Sequence, residues 1–125
     1  MNAVDRAKMA YGTNAELVRT PRGTEYAAFA RVTNDLRTAA KLGARNFKKI
    51  AEAIHNNRLL WTALAADVAD SGNALPDALR AQIFYLSEFV HQHSSKVLQG
   101  QARIAALVEI NISIMRGLGP ERYSK

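Results

Sequence analysis

The chain has 125 residues, no cysteine and a net charge of +6, which excludes disulfides and thiolate metal sites and is the length of one ordinary domain able to close a core unaided. With 48% apolar residues, 3 prolines and 7 glycines, a wholly disordered chain is excluded as well. No stretch approaches the roughly 18 uncharged apolar residues of a membrane span, and the opening Met-Asn-Ala-Val-Asp-Arg lacks the apolar run of a secretory signal, so a cytoplasmic address is expected.

Residues 1–19 are weakly patterned and are expected to be loosely ordered. Organisation begins at Thr20-Pro21, a capping residue followed by one suited to the first helical position. Tyr26, Phe29, Val32, Leu36 and Ala40 then recur at spacings of three and four, predicting a helix over about 21–42 that stops at Gly43. A second helix is predicted over 44–68. Its stripe of Phe47, Ile50, Ile54, Asn57, Trp61, Leu64 and Val68 reads as a narrow seam along one neighbour. The turn residues Asp70-Ser71-Gly72-Asn73 end it.

Pro76 opens a third helix, over about 76–99, with Asp77 at its positive end, an inward stripe of Leu79, Ile83, Leu86, Val90 and Val97, and Gly100 as its stop. The fourth segment, about 102–117, fits a helix through Ile104, Leu107, Val108, Asn111, Ile114, Met115 and Leu118. Ile110, Ile112 and Ile114 also alternate as a strand would. A lone strand has no partner for its backbone edge, so a helix is expected. Gly117, Gly119 and Pro120 close it, leaving 119–125 as a loose tail. These elements predict an all-α chain: one domain over 1–125, a small bundle of about four helices.

Two departures from this pattern bear on function. Asn57 and Asn111 interrupt apolar stripes. Such residues either fix the register of packed helices through hydrogen bonds or mark a point where the bundle widens to water. If they specify pairing, Asn57→Leu is expected to raise the melting temperature and loosen partner choice. The second departure is a set of apolar residues off the stripes: Leu59 on the second helix, and Phe84, Tyr85 and Phe89 on the third. Single exposed apolar residues are common, but several around one helix pair suggest a groove for a partner helix with aromatic anchors.

Catalysis has no visible seat. His91 and His93 lie two apart and point about 200° from each other on a helix, so they cannot share a metal. His55 stands three residues after Glu52, and all three histidines read as solvent-facing helix positions. There is no phosphate-binding glycine loop, HExxH or calcium loop; the Glu-x-x-His spacing found in bundle metal sites occurs at Glu52–His55 and again at Glu88–His91, a spacing that also suits surface pairs on a helix. The expectation is a protein that binds and does not catalyse, without cofactor or metal.

All the excess charge lies in residues 1–62, densest at Arg37, Lys41, Arg45, Lys48 and Lys49. A solvated lysine-rich face shows the same composition. So does a surface for nucleic acid, an acidic protein or a membrane. A helix-turn-helix across Gly43 is a further reading, although the seam and Trp61 of its second helix look like packing.

The residues carrying these features also carry a resemblance. Ala10-Tyr11, Arg19-Thr20-Pro21-Arg22, Thr24-Glu25-Tyr26, Asn57-Arg58-Leu59-Leu60-Trp61 and Asp67-Val68-Ala69-Asp70 resemble the FlaF family of flagellar biosynthesis proteins. So do Gly72-Asn73-Ala74-Leu75-Pro76, Leu79-Arg80-Ala81-Gln82, Phe84-Tyr85-Leu86-Ser87-Glu88-Phe89 and Met115-Arg116-Gly117-Leu118. The match covers nearly the whole chain in order and is most specific from Asn57 to Phe89. The resemblance implies a cytoplasmic factor for flagellin production, secretion and filament assembly, acting with an opposing regulator, FlbT. It brings no catalytic residues. Flagellin's ends are amphipathic helices, and a bundle with an apolar groove is suited to cover one of them before export. Leu59, Trp61, Phe84, Tyr85 and Phe89 are the candidate contacts, with core packing a competing role for Trp61. The rival reading is post-transcriptional: the five basic residues would touch flagellin mRNA, or FlbT.

Overall fold

The computed structural model describes residues 21–118. The expectations for 1–19 and 119–125, and the cap at Thr20, lie outside the described residues. Four helices follow in order: α1 (Pro21–Leu42), α2 (Phe47–Ala69), α3 (Asp77–Leu98) and α4 (Ala105–Leu118). The described chain is thus an all-α bundle, and the segment with strand-like alternation is helical. In α4 the helical period buries Leu107, Asn111 and Ile114 together.

α1 packs on both α2 and α4, and α2 packs on α1 and α3, whereas α3 and α4 touch little. The α2–α3 pair is antiparallel. Arg58, at the middle of α2, donates to Ser95 Oγ near the end of α3 at 2.6 Å, and Arg80, early in α3, donates from Nε to Val68 O near the end of α2 at 2.9 Å. Arg80 Nη2 also reaches Asp70 O at 2.9 Å. One guanidinium therefore closes the C-terminal end of α2, taking Val68 O and joining Asn73 N at Asp70 O.

The boundaries differ from the predicted ones at two points. Residues Gly43–Asn46 form a 3-10 turn, and α2 begins at Phe47. Gly43 adopts φ +69, a left-handed conformation suited to glycine, and Asn46 Oδ1 caps α2 by accepting from Lys49 N at 3.3 Å. Likewise α4 begins at Ala105, after a stretch in which Gly100 turns the chain at φ +76.

The buried face of α2 is broader than a seam. Ala53, Ile54, Asn57, Leu60, Trp61, Leu64 and Val68 are all buried, because α2 packs between α1 and α3 and its side chains also reach Asn111 of α4. Phe47, expected in that stripe, is instead 55% exposed; it is the first residue of the helix, where the bundle ends and no neighbour extends over it. In α1 the stripe passes through Ala39, and Ala40 is exposed. Phe29 of α1 meets Trp61 edge to face, with ring centroids 5.5 Å apart.

Candidate functional site

Asn57 and Asn111 do not reach water. Both are fully buried, and Asn111 Nδ2 donates to Asn57 Oδ1 at 2.9 Å, while Trp61 Nε1 donates to Asn111 Oδ1 at 2.9 Å. The order of this chain follows from its first link. An indole can only donate, so Asn111 must turn its oxygen to Trp61 and its amide nitrogen to Asn57, which then presents oxygen. Asn57 Nδ2 is left without a partner. This polar chain ties α2 to α4 across the core and selects one register between them, since a one-residue slip would strand every group in it.

The same geometry removes Trp61 from the list of surface contacts. It is 0% exposed, committed on one side to Phe29 and at its nitrogen to Asn111, so a partner cannot touch it while the bundle is closed. The other four candidates are exposed: Leu59 at 39%, Phe84 at 51%, Tyr85 at 74% and Phe89 at 41%. They do not converge on one narrow groove. With α3 buried at Ile83, Ser87, Val90 and Ser94, the 100° step per residue places Tyr85 and Phe89 about 40° apart on the outward face. Phe84 lies 100° from Tyr85, toward the α2 flank that holds Arg80 and His91. Leu59 stands on the outer side of α2, beyond Arg58. The result is a broad apolar strip around the outside of the α2–α3 pair.

That strip is anchored from below. Arg58 Nη2 donates to His91 O at 2.9 Å, and Thr62 Oγ1 and His91 Nε2 are hydrogen-bonded at 3.2 Å. His93 donates from Nε2 to Arg103 O at 2.7 Å, and its ring stacks on Phe89 with centroids 5.4 Å apart and planes 21° apart. The expectation of three solvent-facing histidines therefore holds for His55 alone; His91 and His93 are half-buried. They point to opposite flanks of α3, one to α2 and the other to the loop before α4, so they share no ligand position. Among the described residues no group of three or more metal-binding side chains converges.

Burial, and secondarily the nearby Arg58 guanidinium, holds the His91 pKa below its ordinary value, against a smaller opposing pull from Glu88. A depressed pKa means the unfolded chain takes up the proton more readily than the fold. His91 is then expected to lower stability as pH falls below about 6.5, the ordinary histidine value, and to be without effect above it. Comparing the melting temperature of the native chain with that of His91→Gln from pH 7.5 to 5 checks this: the native chain is expected to lose more on acidification, and parallel profiles would refute it.

The basic residues Arg37, Lys41, Arg45, Lys48 and Lys49 are all exposed, and the fold gathers them at one end, around the turn from α1 to α2. Lys49 makes a loose contact with Glu52 at 3.9 Å between two exposed side chains. Two exposed apolar residues at this end, Leu42 at 44% and Phe47 at 55%, were not among the sequence candidates. Their signal was position rather than period, since both stand at helix ends bordering Gly43. In the helix-turn-helix reading α2 would be the reading helix; its seam and Trp61 are buried in the core, and its outward face mixes Lys48 and Lys49 with Glu52, His55 and Leu59.

Among the described residues no helix is long and apolar enough to cross a membrane. The sequence pattern of one family, described as Flagellar protein FlaF, matches residues 7–118. Nothing matches the chain among curated proteins or among solved structures.

Proposed function

The chain belongs to the FlaF family and is a flagellar protein, and from that premise we propose that it binds flagellin as a cytoplasmic secretion and assembly chaperone, promoting flagellin synthesis and filament formation. The protein acts by binding and carries out no reaction, and it uses no cofactor or metal. The observation that carries this reading is the outward apolar strip of Phe84, Tyr85 and Phe89 on α3, a helix that packs chiefly against α2 and leaves its far side bare. Aromatic anchors on an uncovered helix face suit an amphipathic helix laid alongside, and flagellin's ends supply such helices. Leu59 extends the strip onto α2.

The test is a binding titration of this chain against full-length flagellin and flagellin lacking either end. Micromolar binding lost with one end is expected. Phe84→Ala, Tyr85→Ala and Phe89→Ala are expected to weaken it, the strongest by about tenfold or more. If neither full-length nor truncated flagellin binds at micromolar concentration, the chaperone reading is wrong.

The second reading rests on the gathering of Arg37, Lys41, Arg45, Lys48 and Lys49 at one end of the bundle: post-transcriptional regulation through flagellin mRNA or the FlbT regulator. Phosphate contacts would show as RNA affinity falling linearly on a log–log salt plot, with a slope of about −0.7 per phosphate neutralised.

A further inference from the structure

At the end of the bundle where α1 runs into α2 and α3 into α4, the helices do not close on one another. A cavity of about 560 Å³ opens there. Its walls include Ala39, Ala40, Ile50, Val97 and Ile104, and Arg103 lies at its edge. The opening has a sequence cause. Small residues from α1 and from the loop before α4 stand where the other layers of the core hold Leu, Ile or Trp. Nothing in their volume fills the space between the four helix ends.

Cations outnumber acids at this end of the bundle; Asp35 and Glu52 stand with Lys49 around a neighbouring hollow. Arg103 lines the cavity, Lys41 is next in chain to Ala40, Lys48 and Lys49 precede Ile50, and Lys96 precedes Val97. Arg45 lies in the Gly43–Asn46 turn. All six are exposed. The N-termini of α2 and α4 both lie at this end, and neither has an acidic residue in its first turn. Two positive helix ends are therefore left uncompensated among lysines and arginines. Glu52, the acid nearest the start of α2, makes only the loose 3.9 Å contact with Lys49. Such an arrangement attracts an anionic partner.

We propose that this end of the bundle is a second docking site, built for an acidic, leucine-bearing segment of a partner protein. Aliphatic side chains enter the cavity, and flanking carboxylates meet the cationic rim and the two helix N-termini. The wall composition favours protein over nucleic acid: the lining is aliphatic and offers no ring on which a base can stack. Leu42 and Phe47 are exposed apolar residues at the same end. The site is separate from the aromatic strip on the outer face of α3, and stands whether or not that strip binds flagellin.

The isotope-labelled full chain is titrated by NMR with three probes: a short synthetic peptide of alternating Leu-Leu and Glu-Glu pairs, the same peptide with Gln for every Glu, and an oligouridine. The Leu/Glu peptide is expected to shift the amides of Ala40, Gly43, Gly100 and Ile104, and the Gln peptide to bind about tenfold more weakly or worse. Ala40→Leu, which fills the cavity, and Arg103→Glu, which reverses its edge, are each expected to cut affinity by a similar factor without changing the melting temperature appreciably. Equal binding of the Gln peptide, shifts centred on residues 84–89, or oligouridine alone binding at this end would each overturn the proposal.

Discussion

Replacing Asn111 with leucine is expected to destabilise the bundle by about 2–3 kcal/mol, a drop of roughly 10 °C in melting temperature. Leucine is close in size and more apolar, so area burial alone predicts a gain. The hydrogen bonds reverse the sign. Asn111 is the middle member of the Trp61–Asn111–Asn57 chain, and its loss strands the indole N–H and leaves Asn57 with no bond at either amide atom, all fully buried. Each stranded group costs about 1–3 kcal/mol, of which the added apolar contact returns only part.

The same reasoning revises the expectation for Asn57→Leu. Because Asn111 Nδ2 depends on Asn57 Oδ1, the single substitution is expected to lower the melting temperature and not to raise it. The double variant is expected to be less damaged than the two single losses added together, because Asn57 and Asn111 then no longer orphan each other. Thermal unfolding followed by circular dichroism on the two single variants and the double variant measures the coupling. Additive losses would mean the pair does not act as a unit.

The second large effect separates two residues that sequence alone placed side by side. Trp61→Ala is expected to cost about 3–5 kcal/mol, since it empties the largest buried side chain in the core and removes the edge-to-face contact with Phe29. Phe84→Ala, with half its surface in solvent, is expected to stay within about 0.5 kcal/mol of the native chain. Flagellin binding is expected to respond in the opposite sense. Where both variants are still folded, Phe84→Ala loses affinity and Trp61→Ala retains it, apart from the fraction unfolded. Denaturant unfolding paired with the binding titration checks both halves. A Trp61→Ala protein of native stability would contradict the packing described here, and a loss of binding larger than its unfolded fraction would return Trp61 to the contact surface.

How far the sequence speaks for itself differs from element to element. Four helices, their order and their stops at Gly43 and Gly100 were legible, because period and chain-breaking are local properties. Only neighbours three or four residues away and the left-handed freedom of glycine are involved. The off-stripe exposure of Leu59, Phe84, Tyr85 and Phe89 was legible for the same reason, since a helical wheel assigns a face without knowing what packs on it. The wheel misjudged Phe47, because a residue at the first turn has core-facing direction but nothing beyond it to be buried against.

What the sequence determined by itself, then, was the helical content, the polar interruptions and the two surfaces of interest, one aromatic and one basic. Only the tertiary structure decided what those features do to one another. Asn57 and Asn111 lie 54 positions apart, and no local rule joins them; packing α4 across α2 makes them one hydrogen-bonded pair with Trp61. The half-burial of His91 and His93, the capping of α2 by Arg80, and the cavity edged by Arg103 likewise arise from contacts between separate helices. Periodicity shows which face of a helix is apolar, whereas burial depends on which other helix reaches that face, and that is settled only when the chain closes on itself.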